Sequence, residues 1–142
     1  MINSPIILAL IAFSLLACVF AFMRGGAAER AGAAVILTNL IMSLGNEYLL
    51  GNSVVALAID GLTAMALLVL ALRYASLWIG AVMLLYALQF GLHAFYLVAD
   101  RKRDLLHVVI NNVDFFSVSL CLMLGTFVAH RRAMRSDRAA PA

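Results

Sequence analysis

The sequence predicts an all-α integral membrane protein, folded as an up-and-down bundle of five transmembrane helices. Of its 142 residues, 65% are hydrophobic and 12% are charged, a balance far outside the range of soluble domains, which need polar residues for their surface. The apolar residues also fall into long stretches separated by short charged or glycine-containing breaks. Because short connections make consecutive helices antiparallel neighbours, this arrangement indicates one compact bundle.

Five apolar stretches are long enough to cross a hydrocarbon core of about 30 Å at about 1.5 Å per residue. We expect the helices at about 5–23, 31–50, 53–72, 77–99 and 105–129. The second stretch is interrupted by Asn39, Ser43, Asn46 and Glu47. Because these make it the weakest span, a bundle of four helices is the alternative. The bundle occupies residues 1–130, and residues 131–142 are expected to form a basic, disordered tail.

The Lys and Arg residues near the helix ends predict the orientation, because the more basic side of a membrane protein faces the cytoplasm. With five spans and the N-terminus outside, the cytoplasmic side carries seven of them: Arg24, Arg30, Arg73, Arg131, Arg132, Arg135 and Arg138. The outside carries three: Arg101, Lys102 and Arg103. With four spans, each side of the membrane would carry five Lys and Arg residues, and the distribution would show no bias. We therefore expect five spans with the N-terminus outside and the C-terminus in the cytoplasm.

The sequence lacks the motifs that are typical of several classes of protein. The basic residues form no stripe with interleaved aromatic residues, so nucleic acid is not an expected partner. Neither Cys18 nor Cys121 lies in a CxxC or Cys/His spacing typical of redox or zinc sites. No serine lies in a Gly-x-Ser-x-Gly context, and no motif indicates a cofactor.

Asp60, His93 and Asp114 are acidic or imidazole side chains that lie inside apolar helical stretches. Such groups are costly in hydrocarbon and are candidates for a functional site by default. Asp60 lies seven residues after the start of its helix, His93 six before the end of the next, and Asp114 nine after the start of the last. Because those three helix ends share one membrane face, the side chains are all expected roughly 9 to 14 Å below it, at about 1.5 Å per residue.

Further polar residues lie on the same helical stripes, at spacings of three and four residues. Since lipid-facing positions should be apolar, we expect the stripes to face one another inside the bundle. The candidates for a ligand or proton site are Asp60, His93, Asp114, Gln89, Asn111, His107 and Glu47. We expect one carboxylate to be ionised and paired with His93, and the other to be neutral or hydrogen-bonded by Asn111 and Asn112.

Three interpretations of this cluster remain open. Polar side chains between membrane helices often form interhelical hydrogen bonds that only stabilise the bundle. A divalent metal ion is a second interpretation, because imidazole and carboxylate ligands suit several metals; its candidates are His93, Asp60, Asp114 and His107. A proton or small-solute site is the third, since Asp and His side chains carry protons in membrane pumps and carriers. The apolar opposite half of the helices favours a dead-end pocket over a channel.

Two short segments carry a resemblance to a group of known proteins. They are Gln89-Phe90-Gly91-Leu92-His93 and Leu124-Gly125-Thr126 near the end of the last span. Over residues 29–130 the chain resembles uncharacterised short polytopic inner-membrane proteins of alphaproteobacteria. The resemblance implies a bacterial inner membrane as the location, and it implies no activity.

We expect a non-enzymatic accessory or structural subunit of a larger membrane complex. The predicted loops are too short to hold a soluble catalytic domain, and a bundle this small gains further contacts in a homo-oligomer or a complex. The alternative is a membrane protein with a polar pocket that faces the periplasm and binds a metal ion, proton or small solute, for transport or sensing.

Overall fold

A computed structural model describes residues 5–102 and 104–139, with side chains described up to residue 135. Over these residues it confirms the five-helix bundle and contains no strand. The helices are α1 (Pro5–Arg24), α2 (Ala27–Gly45), α3 (Ser53–Tyr74), α4 (Leu77–Val98) and α5 (Leu105–Ala139), and a π-helical turn (Asn46–Leu50) continues α2. All five are long and apolar enough to cross a membrane. The chain is a multi-pass membrane protein.

The five helices pack as a closed ring, in which each helix contacts the next in sequence and α5 returns to α1. Because four antiparallel steps, an even number, separate α1 from α5, these two helices are parallel neighbours. One end of the ring, here called the pocket end, carries the start of α1 and the α2–α3 and α4–α5 connections. The opposite end, here called the Trp78 end, carries the α1–α2 and α3–α4 connections.

An apolar layer crosses the middle of the bundle and separates its two ends. It consists of fully or almost fully buried side chains from four helices: Ile36, Leu67, Val82, Val118 and Leu122. α1 contributes small buried residues, Ala17, Cys18 and Ala21, which allow its neighbours to approach closely. The polar residues of the candidate site all lie on one side of this apolar layer.

The second span is longer than the sequence indicated, and its polar residues have local structural roles. α2 begins at Ala27 instead of residue 31 because Glu29 is buried and its Oε2 accepts a hydrogen bond from Gly26 N at 3.0 Å. Near the other end, Asn46 Nδ2 donates to Asn52 O at 3.1 Å and Asn46 Oδ1 accepts from Asn52 N at 3.3 Å. Asn52 Oδ1 then caps α3 by accepting from Val54 N at 2.8 Å.

The Trp78 end is closed by an indole ring packed between two glycines. A Cβ added at Gly125 of α5 would lie 2.6 Å from Trp78 Cγ, and one added at Gly32 of α2 would lie 2.5 Å from Trp78 Cη2. Trp78 Nε1 donates to Glu29 Oε1 at 3.1 Å, which fixes the ring. Both glycines are therefore needed to admit the indole between α2 and α5.

The basic tail differs from the sequence expectation. α5 continues through the predicted end of the span to Ala139, so residues 131–139 are helical and not disordered. The cause is a sequence of good helix formers, mainly Ala, Arg and Met, with no Gly or Pro before Pro141. Residues 140–142 lie outside the described residues. At about 1.5 Å per residue the helix is about 50 Å long, so its last turns extend beyond a hydrocarbon core of about 30 Å.

Candidate functional site

A buried acid–histidine pair joins α3 to α4 in the pocket-end half of the bundle. His93 Nδ1 lies 2.6 Å from Asp60 Oδ2, and the side chain of Asp60 is only 3% exposed. The two residues were expected at the same depth from their distances to the helix ends, and this short contact confirms it. A carboxylate in such a position is stabilised only by close donors, because ionised groups are costly away from water.

The other carboxylate oxygen of Asp60 belongs to a hydrogen-bond network with α2. Asn39 Nδ2 donates to Thr63 Oγ1 at 3.0 Å and lies 3.5 Å from Asp60 Oδ1. Tyr86 OH donates to Asn39 Oδ1 at 3.3 Å, and Thr63 Oγ1 donates to the carbonyl of Ile59 at 2.7 Å. Asn39 and Thr63 are thus functional neighbours of Asp60 that the sequence analysis did not include in the site. The sequence could have indicated Thr63, because it follows Asp60 by three residues and therefore lies on the same face of α3.

A cavity of about 120 Å³ opens at the pocket end and leads to His93. Its lining comes from α3, α4, the α4–α5 connection and α5: Ser53, Ala56, His93, Tyr96, Leu97, Asp100, Arg101 and His107. His93 lies deepest along α4 among these residues. The cavity is large enough for several water molecules or one small polar solute.

The side chain of His93 lines this cavity and is held in place by three neighbouring side chains. Its Nδ1 is occupied by Asp60, and within the described part of the chain Nε2 makes no hydrogen bond. The ring stacks on that of His107 at 5.2 Å between centroids, and His107 meets Tyr96 edge to face at 4.7 Å. These aromatic contacts hold the imidazole plane in position beside the cavity.

The rim of the cavity is ordered by Asp104 in the α4–α5 connection. Asp104 Oδ1 accepts hydrogen bonds from Tyr96 OH at 2.5 Å and from His107 N at 2.9 Å. These donors, the Tyr96 hydroxyl first, hold the pKa of the Asp104 carboxyl below its usual range. Asp104 is therefore ionised around neutral pH, and it keeps Tyr96 and the start of α5 in place beside the cavity.

Asp114 lies deeper along α5 and has no such partner. It is 4% exposed, and neither carboxylate oxygen has a hydrogen-bond partner among the described residues. The expected cap by Asn111 is wrong, because Asn111 Oδ1 instead accepts from Gln89 Nε2 at 3.1 Å. Asp114 does lie near enough to Asp60 and His93 to interact with them electrostatically.

The remaining candidates divide between the pocket and the surface. His107 lines the cavity beside His93, whereas Glu47 is exposed on the π-helical turn and does not line it. Among the side chains described in residues 5–102 and 104–135, no group of three or more His, Cys, Asp or Glu is arranged to hold a metal ion. The four metal candidates therefore do not converge on one point, and the arrangement suits a proton or a small polar solute better than a metal ion.

Comparisons with known proteins give no family or relative: no family model, curated protein or solved structure matches this chain.

Proposed function

We propose that this protein binds a proton at the His93–Asp60 pair, through a pocket open to one face of the membrane, and responds to the pH on that face. The observation that carries the proposal is the position of His93. One ring nitrogen contacts a buried carboxylate, and the same residue lines the cavity. Histidine is the side chain whose charge ordinarily changes near neutral pH, so a histidine in this position is suited to sensing.

The apolar layer supports sensing over transport. Ile36, Leu67, Val82, Val118 and Leu122 fill the bundle directly beyond the polar network, and a proton path needs polar groups or water at each step. A proton taken up from the cavity therefore returns to the same face. The interhelical bonds among Asp60, His93 and Asn39 link α2, α3 and α4, so a change of charge at His93 acts on the packing of all three helices.

We further propose that the pocket end faces the periplasm of a bacterial inner membrane, with the C-terminus in the cytoplasm. The seven-to-three distribution of Lys and Arg supports this orientation. The resemblance to short alphaproteobacterial membrane proteins supports the location. In this orientation the pocket reports on the pH outside the cytoplasm.

Nitrogen NMR of ¹⁵N-histidine-labelled protein in nanodiscs tests the proposal. We expect the His93 ring signals to change from the neutral to the protonated pattern when the solution is made acidic. His130→Ala and His107→Ala assign the other two histidines. Asp60→Asn should alter the response of His93, whereas the control Asp100→Asn, which removes an exposed carboxylate from the cavity rim, should leave it close to wild type. A His93 signal that is insensitive to pH throughout would contradict the proposal.

A second candidate function is an accessory subunit of a larger membrane complex, and the end of α5 favours it. The helix extends past the membrane at the Trp78 end as a basic segment that includes Arg131, Arg132 and Arg135. A rigid basic extension offers a surface for an acidic partner.

Purification in mild detergent tests this candidate and should give a particle heavier than one 15.3 kDa chain with its detergent. Truncation after Ala129 should reduce that particle to a monomer. A monomeric wild-type particle without a co-purifying protein would contradict this candidate.

A further inference from the structure

Asp114 is the one buried carboxylate among the described residues whose oxygens have no hydrogen-bond partner. Asp60 has a donor in His93 and a second neighbour in Asn39. Asp114 has neither, although both of its oxygens are buried. An ionised carboxylate without donors costs several kcal/mol in an apolar environment. A protonated carboxyl avoids that cost.

The seam between α4 and α5 connects Asp114 with the pocket. Going inward from the cavity, the seam contains the stacked rings of His93 and His107, and then the hydrogen bond from Gln89 to Asn111. Asp114 lies one helical turn beyond Asn111, and Tyr86 lies one turn beyond Gln89. The next residues inward, Val82 and Val118, belong to the apolar layer. Asp114 is thus the inner end of a polar seam that begins at the pocket.

The titratable side chains near Asp114 offer it no cation of its own. They are Asp60 from α3 and His93 from α4, and Tyr86 of α4 lies near both carboxylates. α1 faces α5 with uncharged side chains such as Ser14 and Cys18, since its charged residue, Arg24, is at the far end. Because His93 is already paired with Asp60, a negative charge on Asp114 would meet a second carboxylate without a cation of its own.

We infer that Asp114 is a second proton-binding site, which holds a proton in the resting protein and exchanges it with the pocket along the α4–α5 seam. This inference builds on the proposed proton-binding pocket. The O–H bond of Asp114 breaks when the proton leaves toward His93 and the pocket water, and it forms again when a proton returns. The ligand is a proton and not a metal ion, since the described residues provide no group of ligands around this carboxyl.

Infrared spectroscopy of the protein in nanodiscs at neutral pH tests the inference directly. A protonated carboxylic acid gives a carbonyl stretching band that ionised carboxylates lack. We expect this band in the wild type, with a shift on ¹³C-aspartate labelling that assigns it to an aspartate. Asp114→Asn should abolish the band. Asp60→Asn and the control Asp104→Asn should both keep it, because neither substitution removes the Asp114 carboxyl.

A spectrum without a protonated aspartate band would overturn the inference, and so would a band that persists in Asp114→Asn. If Asp114→Asn fails to fold, loss of the band in Asp60→Asn or Asp104→Asn would assign it elsewhere and also overturn the inference. Exchange into D₂O tests the route, and Gln89→Ala should accelerate the deuterium shift of the band by opening the seam. The band is independent of the NMR response of His93, so failure of the pocket proposal and failure of this inference are separate results.

Discussion

His93→Ala is expected to reduce the free energy of unfolding by on the order of 3–5 kcal/mol, the usual cost of removing one partner from a buried pair. The reason is that the Asp60 side chain, which is 3% exposed in the folded protein, would lose its closest donor. Asn39 Nδ2 at 3.5 Å is too distant to replace the contact of 2.6 Å. Thermal or denaturant unfolding in a mild detergent measures the loss.

The double variant His93→Ala, Asp60→Asn should be more stable than His93→Ala alone, because it no longer leaves a buried charge without a partner. A double-mutant cycle over the two positions should therefore be strongly non-additive. The matched cycle of His93 with Asp114 should show weaker coupling, since these two side chains share no hydrogen bond. Additivity in the first cycle would mean that Asp60 and His93 do not meet in the folded protein.

Gly125→Ala should destabilise the protein by about 1–3 kcal/mol, the typical cost of overpacking a filled site. Its new Cβ would lie 2.6, 2.7 and 2.8 Å from three atoms of the Trp78 ring. The ring has little freedom to move away, because Nε1 is bonded to Glu29 and its other side faces Gly32. Unfolding by heat or denaturant is again the measurement.

The control for Gly125→Ala is Gly80→Ala in α4, where an added Cβ meets nothing within 4 Å. There the substitution should leave stability unchanged or raise it by about 0.5–1 kcal/mol, because alanine restricts the unfolded chain and favours helix. Combining Gly125→Ala with Trp78→Ala should recover part of the loss by removing the clash. Equal stability of Gly125→Ala and Gly80→Ala would show that the indole does not occupy this position.

The fold follows closely from the sequence because membrane spans depend on length and hydropathy, which are read directly from the chain. The exceptions are at helix ends, where side-chain contacts decide. The second helix was expected to begin at about residue 31, but the bond of Glu29 to Gly26 places Glu29 inside α2. The tail was expected to be disordered from its polarity, whereas its helix-forming residues continue α5 to Ala139. Composition alone does not distinguish a solvated helix from a disordered segment.

Helical depth predicted that Asp60 and His93 come together, since counting residues from the helix ends requires no knowledge of packing. The partners of each group were harder to predict. Asn111 was expected to cap Asp114 on its own helix, but it accepts from Gln89 across the α4–α5 seam. Glu47 was expected near the cluster and is exposed. Which face of a helix meets which neighbour depends on the rotation of each helix, and the sequence pattern does not specify that rotation.

We propose that His93 exchanges protons with one face of the membrane only. The most direct measurement uses ¹⁵N-histidine-labelled protein reconstituted in one orientation in sealed vesicles, with a C-terminal tag to report which face is outside. The pH is then changed separately on each side. We predict that the His93 signal follows the pH on the pocket side and ignores the side that carries the C-terminus. A signal that follows the C-terminal side, or both sides equally, would contradict this account.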